Sequence, residues 1–349
     1  MRDLQTDYFE DLQLFEDRYH FFWSMLFVLA LISLPFVLKT YYLSIVNLMA
    51  VNVIVALGLN LLVGNTGQIS LGHAGFVAIG AYTTVLLLKA GIPFAIAMMC
   101  AGFTSALFGV ILGIPSLKLE GPYLAIATLA FGMAVTIIVG RMDAFGGRMG
   151  LIVPRINLSW TGMKYDQSLY YVILMITITA VVATRNILKS RIGRCFQAIR
   201  DSDVAASAIG VNLTKYKLYS FGLSALFAGV AGSLWALYLG FINPTIFSFI
   251  LSINFLAIIV LGGLGFVTGS VMGAIAMTYL NLQLEDIVEV PIIGPGLMRF
   301  SEMFMMPDNI SNISWVLTGL ILILVVIFEP LGLYGIWLRI KIYWKRWPF

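Results

Sequence analysis

Uncharged apolar runs of about 17 to 25 residues follow one another along most of this chain, and no Asp, Glu, Lys or Arg falls inside them. A helix of that length crosses the roughly 30 Å hydrocarbon layer of a bilayer, whereas the strands of a membrane barrel read as shorter stretches of alternating polarity. Composition agrees. Of 349 residues 60% are hydrophobic and 11% charged, against roughly 45 to 50% and 25% in soluble domains. The sequence predicts an all-α, polytopic helical membrane protein.

Ten transmembrane segments are expected, at about 21–38, 41–63, 71–88, 93–114, 122–140, 168–184, 218–242, 248–264, 266–283 and 313–328. The third and ninth begin in glycine-rich breaks and read as half-helices or re-entrant segments, because irregular backbone at membrane depth needs protein or a cavity to satisfy its polar groups. Lys and Arg set the orientation. The loop 185–217 carries Arg185, Lys189, Arg191, Arg194, Arg200, Lys215 and Lys217 and is placed in the cytoplasm. Ten spans then put both termini inside, N-in and C-in, with fourteen bases on inner segments against seven outside.

The expected organisation is a cytoplasmic interfacial amphipathic segment, 1–20, and a transmembrane domain, 21–349. In the first, Tyr8, Leu12, Phe15, Tyr19 and Phe22 recur at helical spacing, and its acids favour docking on protein over anionic lipid. Asp3, Asp7, Glu10, Asp11, Glu16 and Asp17 against Arg2 do not make a signal peptide, so this terminus is expected to be retained. Residues 141–167 and 284–312 form long outer loops, the latter holding Glu285, Asp286, Glu289, Glu302 and Asp308, and 329–349 is a basic cytoplasmic tail. Cys100 and Cys195 lie in settings too different for a structural bridge.

Two glycine-rich breaks echo each other at an offset of 198 residues: 64–70, reading Gly-Asn-Thr-Gly-Gln-Ile-Ser, and 262–268, reading Gly-Gly-Leu-Gly-Phe-Val-Thr, extending to Gly75 and Gly273. The match is that of a parallel duplication or of chance similarity between glycine-rich segments. Paired broken helices point to a transport path.

Absences narrow the chemistry. Lys39, Lys89, Glu120 and Arg185 come no nearer than the edges of the spans, so a proton or sodium carrier and a voltage sensor are disfavoured. There is no phosphate-binding loop, HExxH or GxSxG, so the chain is expected to be non-catalytic and to draw energy from another subunit. No metal site is expected. His73, at the first break, reads either as a neutral imidazole bonding freed carbonyls or as a substrate contact. Candidates for the translocation path are Asn65, Gln68, Ser70 and His73 at the first break and Gly262 and Gly265 at the second. Asn47, Asn52, Asn60, Ser252 and Asn254 read mostly as interhelical glue. The spaced small residues Gly222, Ala225, Ala228, Gly229 and Gly232 permit close packing within the subunit or against a second one.

Residues 201–212, in the middle of the cytoplasmic loop, read as one short helix. Ser202 or Asp203 caps it, Ala205, Ala206 and Ala208 favour it, and Gly210 ends it. Such an element either ties two spans together or inserts into a partner's groove.

The run from Ala205 through Ser207 and Ile209 to Gly210 resembles the short motif by which permease subunits of ABC importers meet their ATPases. Val204 stands at the motif's acidic position, with Asp203 one place earlier. A longer stretch, 56–76, reading ALGLNLLVGNTGQISLGHAGF, is similar to the signature of branched-chain amino acid ABC importer permeases of the LivM type. Residues 121–129 (GPYLAIATL), 193–203, 260–265 (VLGGLG) and 328–333 (FEPLGL) fit the same family, so the resemblance runs from about residue 41 to the end.

The resemblance implies an inner-membrane permease subunit of a binding-protein-dependent importer, translocating branched-chain or hydrophobic amino acids. Its partners would be a homologous second permease, two cytoplasmic ABC ATPases, a periplasmic substrate-binding protein and membrane lipid, with no nucleic acid. ATP and Mg would be held by the ATPases, leaving this chain without a cofactor of its own. Asp203, Ala205, Ala206, Ala208 and Gly210 would form the ATPase-coupling element. The alternatives are the same architecture for urea, a short amide or a polar amino acid, or a stand-alone facilitator. A scaffold without transport has no use for broken helices.

Overall fold

A computed structural model describes residues 18–119, 121–157, 162–289 and 310–346. Most of the expected amphipathic segment 1–20, and 290–309 with Glu302 and Asp308, lie outside the described residues. A helix occupies every segment where a span is expected. In chain order the helices are α1 (Arg18–Val37), α2 (Thr40–Leu59), α3 (His73–Lys89), α4 (Phe94–Ser116), α5 (Pro122–Arg141) and α6 (Tyr165–Lys189). Then come α7 (Arg191–Asp201), α8 (Asp203–Ala208), α9 (Leu213–Leu239), α10 (Phe249–Gly262), α11 (Val267–Glu289), α12 (Ile310–Phe328) and α13 (Gly332–Arg346).

By length and composition five of these suffice to cross a membrane: α2 with its extension to Gly64, α4, α5, α6 and α9; α12 with α13 makes a sixth if their 45° bend is one broken span. The chain is an all-helical, multi-pass membrane protein. Helices α3 and α10 are shorter because each abuts a glycine-rich break that interrupts the backbone ladder. Two expected boundaries are corrected. Helix α11 runs on to Glu289, so Glu285, Asp286 and Glu289 stand on a helix and not in a loop. The 185–217 segment is also more structured than one helix between two spans: α6 continues to Lys189, Lys215 and Lys217 belong to α9, and α7 and α8 lie between. Ser190 makes the extra corner by accepting a hydrogen bond from the Ile192 N–H, capping α7.

Helices α2 and α9 form the centre: 72% of their apolar windows is buried, against 22 to 28% for α4, α5 and α6. Close approach there depends on glycine. A Cβ on Gly232 would lie 2.1 Å from the Val77 carbonyl oxygen, and one on Gly229 2.6 Å from that of Ala101. The small-residue stripe of α9 is thus used within the subunit, against α3 and α4. Gly80 of α3 meets the same seam, where a Cβ would lie 2.2 Å from the Gly229 carbonyl oxygen. Gly80→Leu is expected to push α3 off α9 at a cost of about 1 to 3 kcal/mol or more. Thermal unfolding in detergent checks this against Gly319→Leu, whose Cβ meets nothing within 4 Å. Equal stability of the two variants would contradict the packing.

Helix α1 is fastened to α6 through a proline. Pro35 lacks an N–H, which leaves the Leu31 carbonyl four residues earlier without its helical partner, and the Tyr170 hydroxyl donates to it at 2.7 Å. Gln167 Nε2 donates to the Pro35 carbonyl at 3.0 Å and the Tyr171 hydroxyl to that of Ile32 at 2.9 Å. At the opposite side of the bundle from the α7–α8 segment, a two-residue antiparallel ladder pairs β1 (Leu151–Ile152) with β2 (Phe241–Ile242). It pins the loop after α5 to the turn leading into α10. Cys100 and Cys195 are both free.

Candidate functional site

The two glycine breaks meet. Helix α2 ends in a π-helical turn, Asn60–Gly64, and residues 65–72 then cross to α3; the second break, residues 263–266, joins α10 to α11. Asn60 bridges them with both ends of its amide. Its Oδ1 accepts from the Gly265 N–H at 2.8 Å, and its Nδ2 donates to the Phe266 carbonyl at 3.0 Å. The echoed glycines Gly67 (φ +71°) and Gly265 (φ +87°) both adopt the left-handed conformation that side chains disfavour. Gly64 and Gly265 are so close that a Cβ on the first would lie 2.4 Å from the backbone nitrogen of the second.

The path candidates at the first break are all buried, and each side chain has an internal partner. Asn65 Nδ2 donates to the Asn60 carbonyl at 3.1 Å, and Gln68 Nε2 to the hydroxyls of Thr66 at 3.2 Å and Ser220 at 3.0 Å. His73 lies between two serines: its Nδ1 is 3.2 Å from Ser70 Oγ and its Nε2 2.7 Å from Ser224 Oγ. Its partners are therefore hydroxyls, where one of the two readings from sequence had freed carbonyls. Backbone groups around the break are served by other side chains, with Thr66 Oγ1 donating to the Leu62 carbonyl, Thr128 Oγ1 accepting from Leu71 N–H at 3.0 Å, and Ser252 Oγ accepting from Ala74 N–H at 3.0 Å. Gly262 is a packing contact, since its Cβ would lie 2.0 Å from the Gly269 carbonyl oxygen.

Asn60 is the residue whose role sequence reading undervalued. Asn60→Leu leaves the Gly265 N–H without its partner, a cost of about 1 to 3 kcal/mol, while the Phe266 carbonyl keeps the Ser270 N–H at 3.0 Å. A lower unfolding temperature of the purified protein is expected; an unchanged one would contradict the bridging role.

A basic amphipathic helix lies beside the breaks. Helix α7 buries Gly193, Phe196 and Ile199 and exposes Arg191, Arg194 and Arg200. A Cβ on Gly67 would lie 3.8 Å from Arg200 Cα and Cγ, and one on Gly265 2.7 Å from Arg200 Nη1. Arg200 thus lays its stem on one break and its guanidinium on the other, at the carbonyl ends of α2 and α10, where a cation is favourable.

Three residues later α8 begins. Ser202 caps it, its Oγ accepting from the Ala205 N–H at 3.2 Å, while Asp203 pairs with Lys217 of α9. Ala206 faces inward, whereas Ala205 and Ala208 are exposed, as are Val204 (79%) and Ile209 (75%). Gly210, at φ +86°, closes the helix: its N–H donates to the Ser207 carbonyl and that of Val211 to the Ala206 carbonyl, each at 3.0 Å. Nothing lies within 4 Å of the place a Gly210 Cβ would take. The result is a rigid six-residue knob with two bare aliphatic side chains. Val204 and Ile209 were legible only as motif positions, because exposure of an apolar residue has no local signature.

The tail packs on the second break. Tyr334 of α13 stacks on Phe266 with ring centroids 4.0 Å apart, and a Cβ on Gly332 would lie 2.5 Å from the Leu261 carbonyl oxygen. Glu329 is held by Arg339 at 2.8 Å.

Two openings lie between α5 and the segment leading into α10. One is a small space of about 10 Å³, bounded among others by Leu71, Ala74, Gly132, Thr136, Ser248 and Ser252. The other is a cleft of about 530 Å³ lined by Thr136, Ile137, Gly140, Arg141, Arg148, Pro244 and Thr245.

The chain matches the family model of the branched-chain amino acid transport system permease component over residues 41–326. It is 33% identical over 315 residues to the high-affinity branched-chain amino acid transport system permease protein LivM of Salmonella typhimurium, and equally to that of Escherichia coli. Each alignment covers 82% of this chain and 74% of the relative. The permease protein LivH of Escherichia coli is 24% identical over 269 residues, covering 69% of this chain and 86% of LivH. No solved structure matches.

Proposed function

The chain belongs to the branched-chain amino acid transport permease family, and from that premise we propose that it is the LivM-type membrane subunit of a binding-protein-dependent importer of branched-chain or hydrophobic amino acids. The observation that carries this reading is the continuity from the bare knob of α8, through Arg200, to the two facing helix breaks. Knob and breaks are joined by a short rigid connection of the kind a partner-driven transporter needs.

The assembly comprises this chain, a homologous second permease, two ATPases that hold the ATP and Mg, and a soluble substrate-binding protein. The chain crosses the bacterial inner membrane ten times, with both termini, the α7–α8 segment and α13 in the cytoplasm. Segments 141–167 and 284–312 face outward and receive the binding protein. ATP-driven closure of the ATPases moves α8; Arg200 passes the movement to Gly67 and Gly265, and the breaks change their angle at these glycines, whose backbone is free to rotate. His73, Gln68 and Asn65 fix the resting state of the first break, and Gly262 and Gly265 allow close approach at the second. Because no Asp, Glu, Lys or Arg lies inside an expected span, the transport free energy comes from the ATPases and not from an ion gradient.

Reconstitution tests the reading. Proteoliposomes carrying the complete assembly, supplied with loaded binding protein outside and ATP inside, are expected to accumulate leucine, isoleucine and valine. Flux without ATP would support a facilitator, and accumulation of urea or a polar amino acid alone would reassign the substrate.

A further inference from the structure

The cleft of about 530 Å³ has the size of a site for a small organic molecule. Its only ionised lining groups are two guanidinium groups, Arg141 at the end of α5 and Arg148 in the glycine-rich turn that follows. Among the described residues neither forms an ion pair or a hydrogen bond. The nearby carboxylate of Asp143 is not part of the lining; one of its oxygens lies 4.0 Å from where a Gly147 Cβ would stand. The turn holding Arg148 is fixed: a Cβ on Gly150 would lie 2.2 Å from the Ile242 carbonyl oxygen, and the β1–β2 ladder follows directly.

The cleft adjoins the smaller space. Thr136 lines both, and the smaller one is also bounded by Ala74 in the first turn of α3. There the Ala74 N–H is held by Ser252 Oγ from α10. The N-terminus of α3 is the electropositive end of a 17-residue helix. A route between α5 and α10 therefore begins at two free guanidiniums and ends at a positive helix terminus, with hydroxyls of Thr136, Ser248 and Ser252 along it. Both ends favour the same group, a carboxylate, which a guanidinium accepts in bidentate geometry. The inner space, at about 10 Å³, has room for about one water, so the route is shut in this conformation.

We infer that this cleft is the outer mouth of the translocation route and that Arg141 and Arg148 receive the carboxylate of the incoming amino acid. The inference rests on the transport reading above and on the orientation that puts residues 141–167 outside. It adds a site and a direction of travel: carboxylate first, past Thr136, towards Ser252 and the α3 terminus.

The test uses the complete assembly in proteoliposomes, with binding protein loaded with leucine. Arg141→Gln with Arg148→Gln is expected to lower uptake about tenfold or more, with the affinity for the binding protein retained and with partial recovery in the corresponding double Lys variant. Unchanged uptake, or a loss of binding-protein affinity as large as the loss of uptake, would overturn the inference, the latter by making the cleft a protein-docking surface. A second measurement needs no transport. With Cys100→Ala and Cys195→Ser in place, Thr136→Cys is expected to react faster with an anionic thiosulfonate than with a cationic one, and the double Gln variant is expected to lose that preference. Equal rates in the parent would overturn the inference. If the parent assembly takes up no leucine while the anionic preference holds, the substrate reading fails and the anion-receiving cleft stands.

Discussion

Gly210→Trp is expected to abolish substrate-stimulated ATP turnover, by roughly a hundredfold, while the subunit still inserts and folds. Gly210 sits at φ +86°, where a non-glycine residue costs about 1 to 2 kcal/mol, too little to unfold a chain of this size. No atom lies within 4 Å of the new Cβ, so the side chain starts out into open space. It projects instead beside Val204 and Ile209, the aliphatic pair offered by α8. A knob that fills a groove loses the bulk of its binding energy when it no longer fits, and central contacts of such interfaces are worth 2 kcal/mol or more, on the order of a hundredfold in occupancy. Asn tolerates the left-handed conformation, so Gly210→Asn separates shape from backbone and is expected to stay within a few-fold of wild type. Normal coupled turnover in the tryptophan variant would remove α8 from the interface.

Arg200→Ala is the second large effect, and it should look different. The docking knob is untouched, so the ATPases still bind and hydrolyse ATP. What disappears is the side chain that spans Gly67 and Gly265, together with the positive charge at two helix carbonyl ends. Solute moved per ATP is expected to fall by about 5- to 150-fold, the range of a typical coupling free energy, with hydrolysis retained. Arg200→Lys keeps the charge but not the planar reach and is expected to fall between. Transport and hydrolysis falling together would place Arg200 in docking and not in transmission.

How much of this was legible in the sequence follows from what kind of interaction each feature depends on. Helix positions were readable because apolar length is a one-dimensional property. The breaks were readable because glycine is the residue that permits them, and the echo of Gly67 with Gly265 survives as a shared left-handed backbone. The end of α8 at Gly210 was readable for the same reason. Asn60 was seen only as a polar residue inside a span, because its partners lie about 205 residues away. Arg200 was counted as a topology signal, since nothing local says that its guanidinium reaches a distant loop. His73 was placed correctly at the break, but its serine partner Ser224 is 151 residues on, and sequence supplied carbonyls in its place. The polar path candidates each have a partner inside the subunit, Ser70 and His73 in one another and Asn65 and Gln68 in Asn60, Thr66 and Ser220, and most of these partners are distant in sequence or backbone groups that no motif announces.

Asp203 shows how a motif position can be reassigned by contact. It precedes the motif's acidic place by one residue, and its pairing with Lys217 ties α8 back to α9. The large side chains that the knob turns outward are apolar, Val204 and Ile209, so the groove that receives them should be apolar too.

The central claim is that this chain works as one membrane subunit of an ATP-driven importer. The most direct measurement is to tag it in its native membrane, purify it in mild detergent and identify the accompanying proteins by mass spectrometry. The account predicts a second, homologous permease and two P-loop ATPases in fixed proportion. A chain that is repeatedly recovered alone under gentle conditions, and that supports flux without ATP, would contradict it.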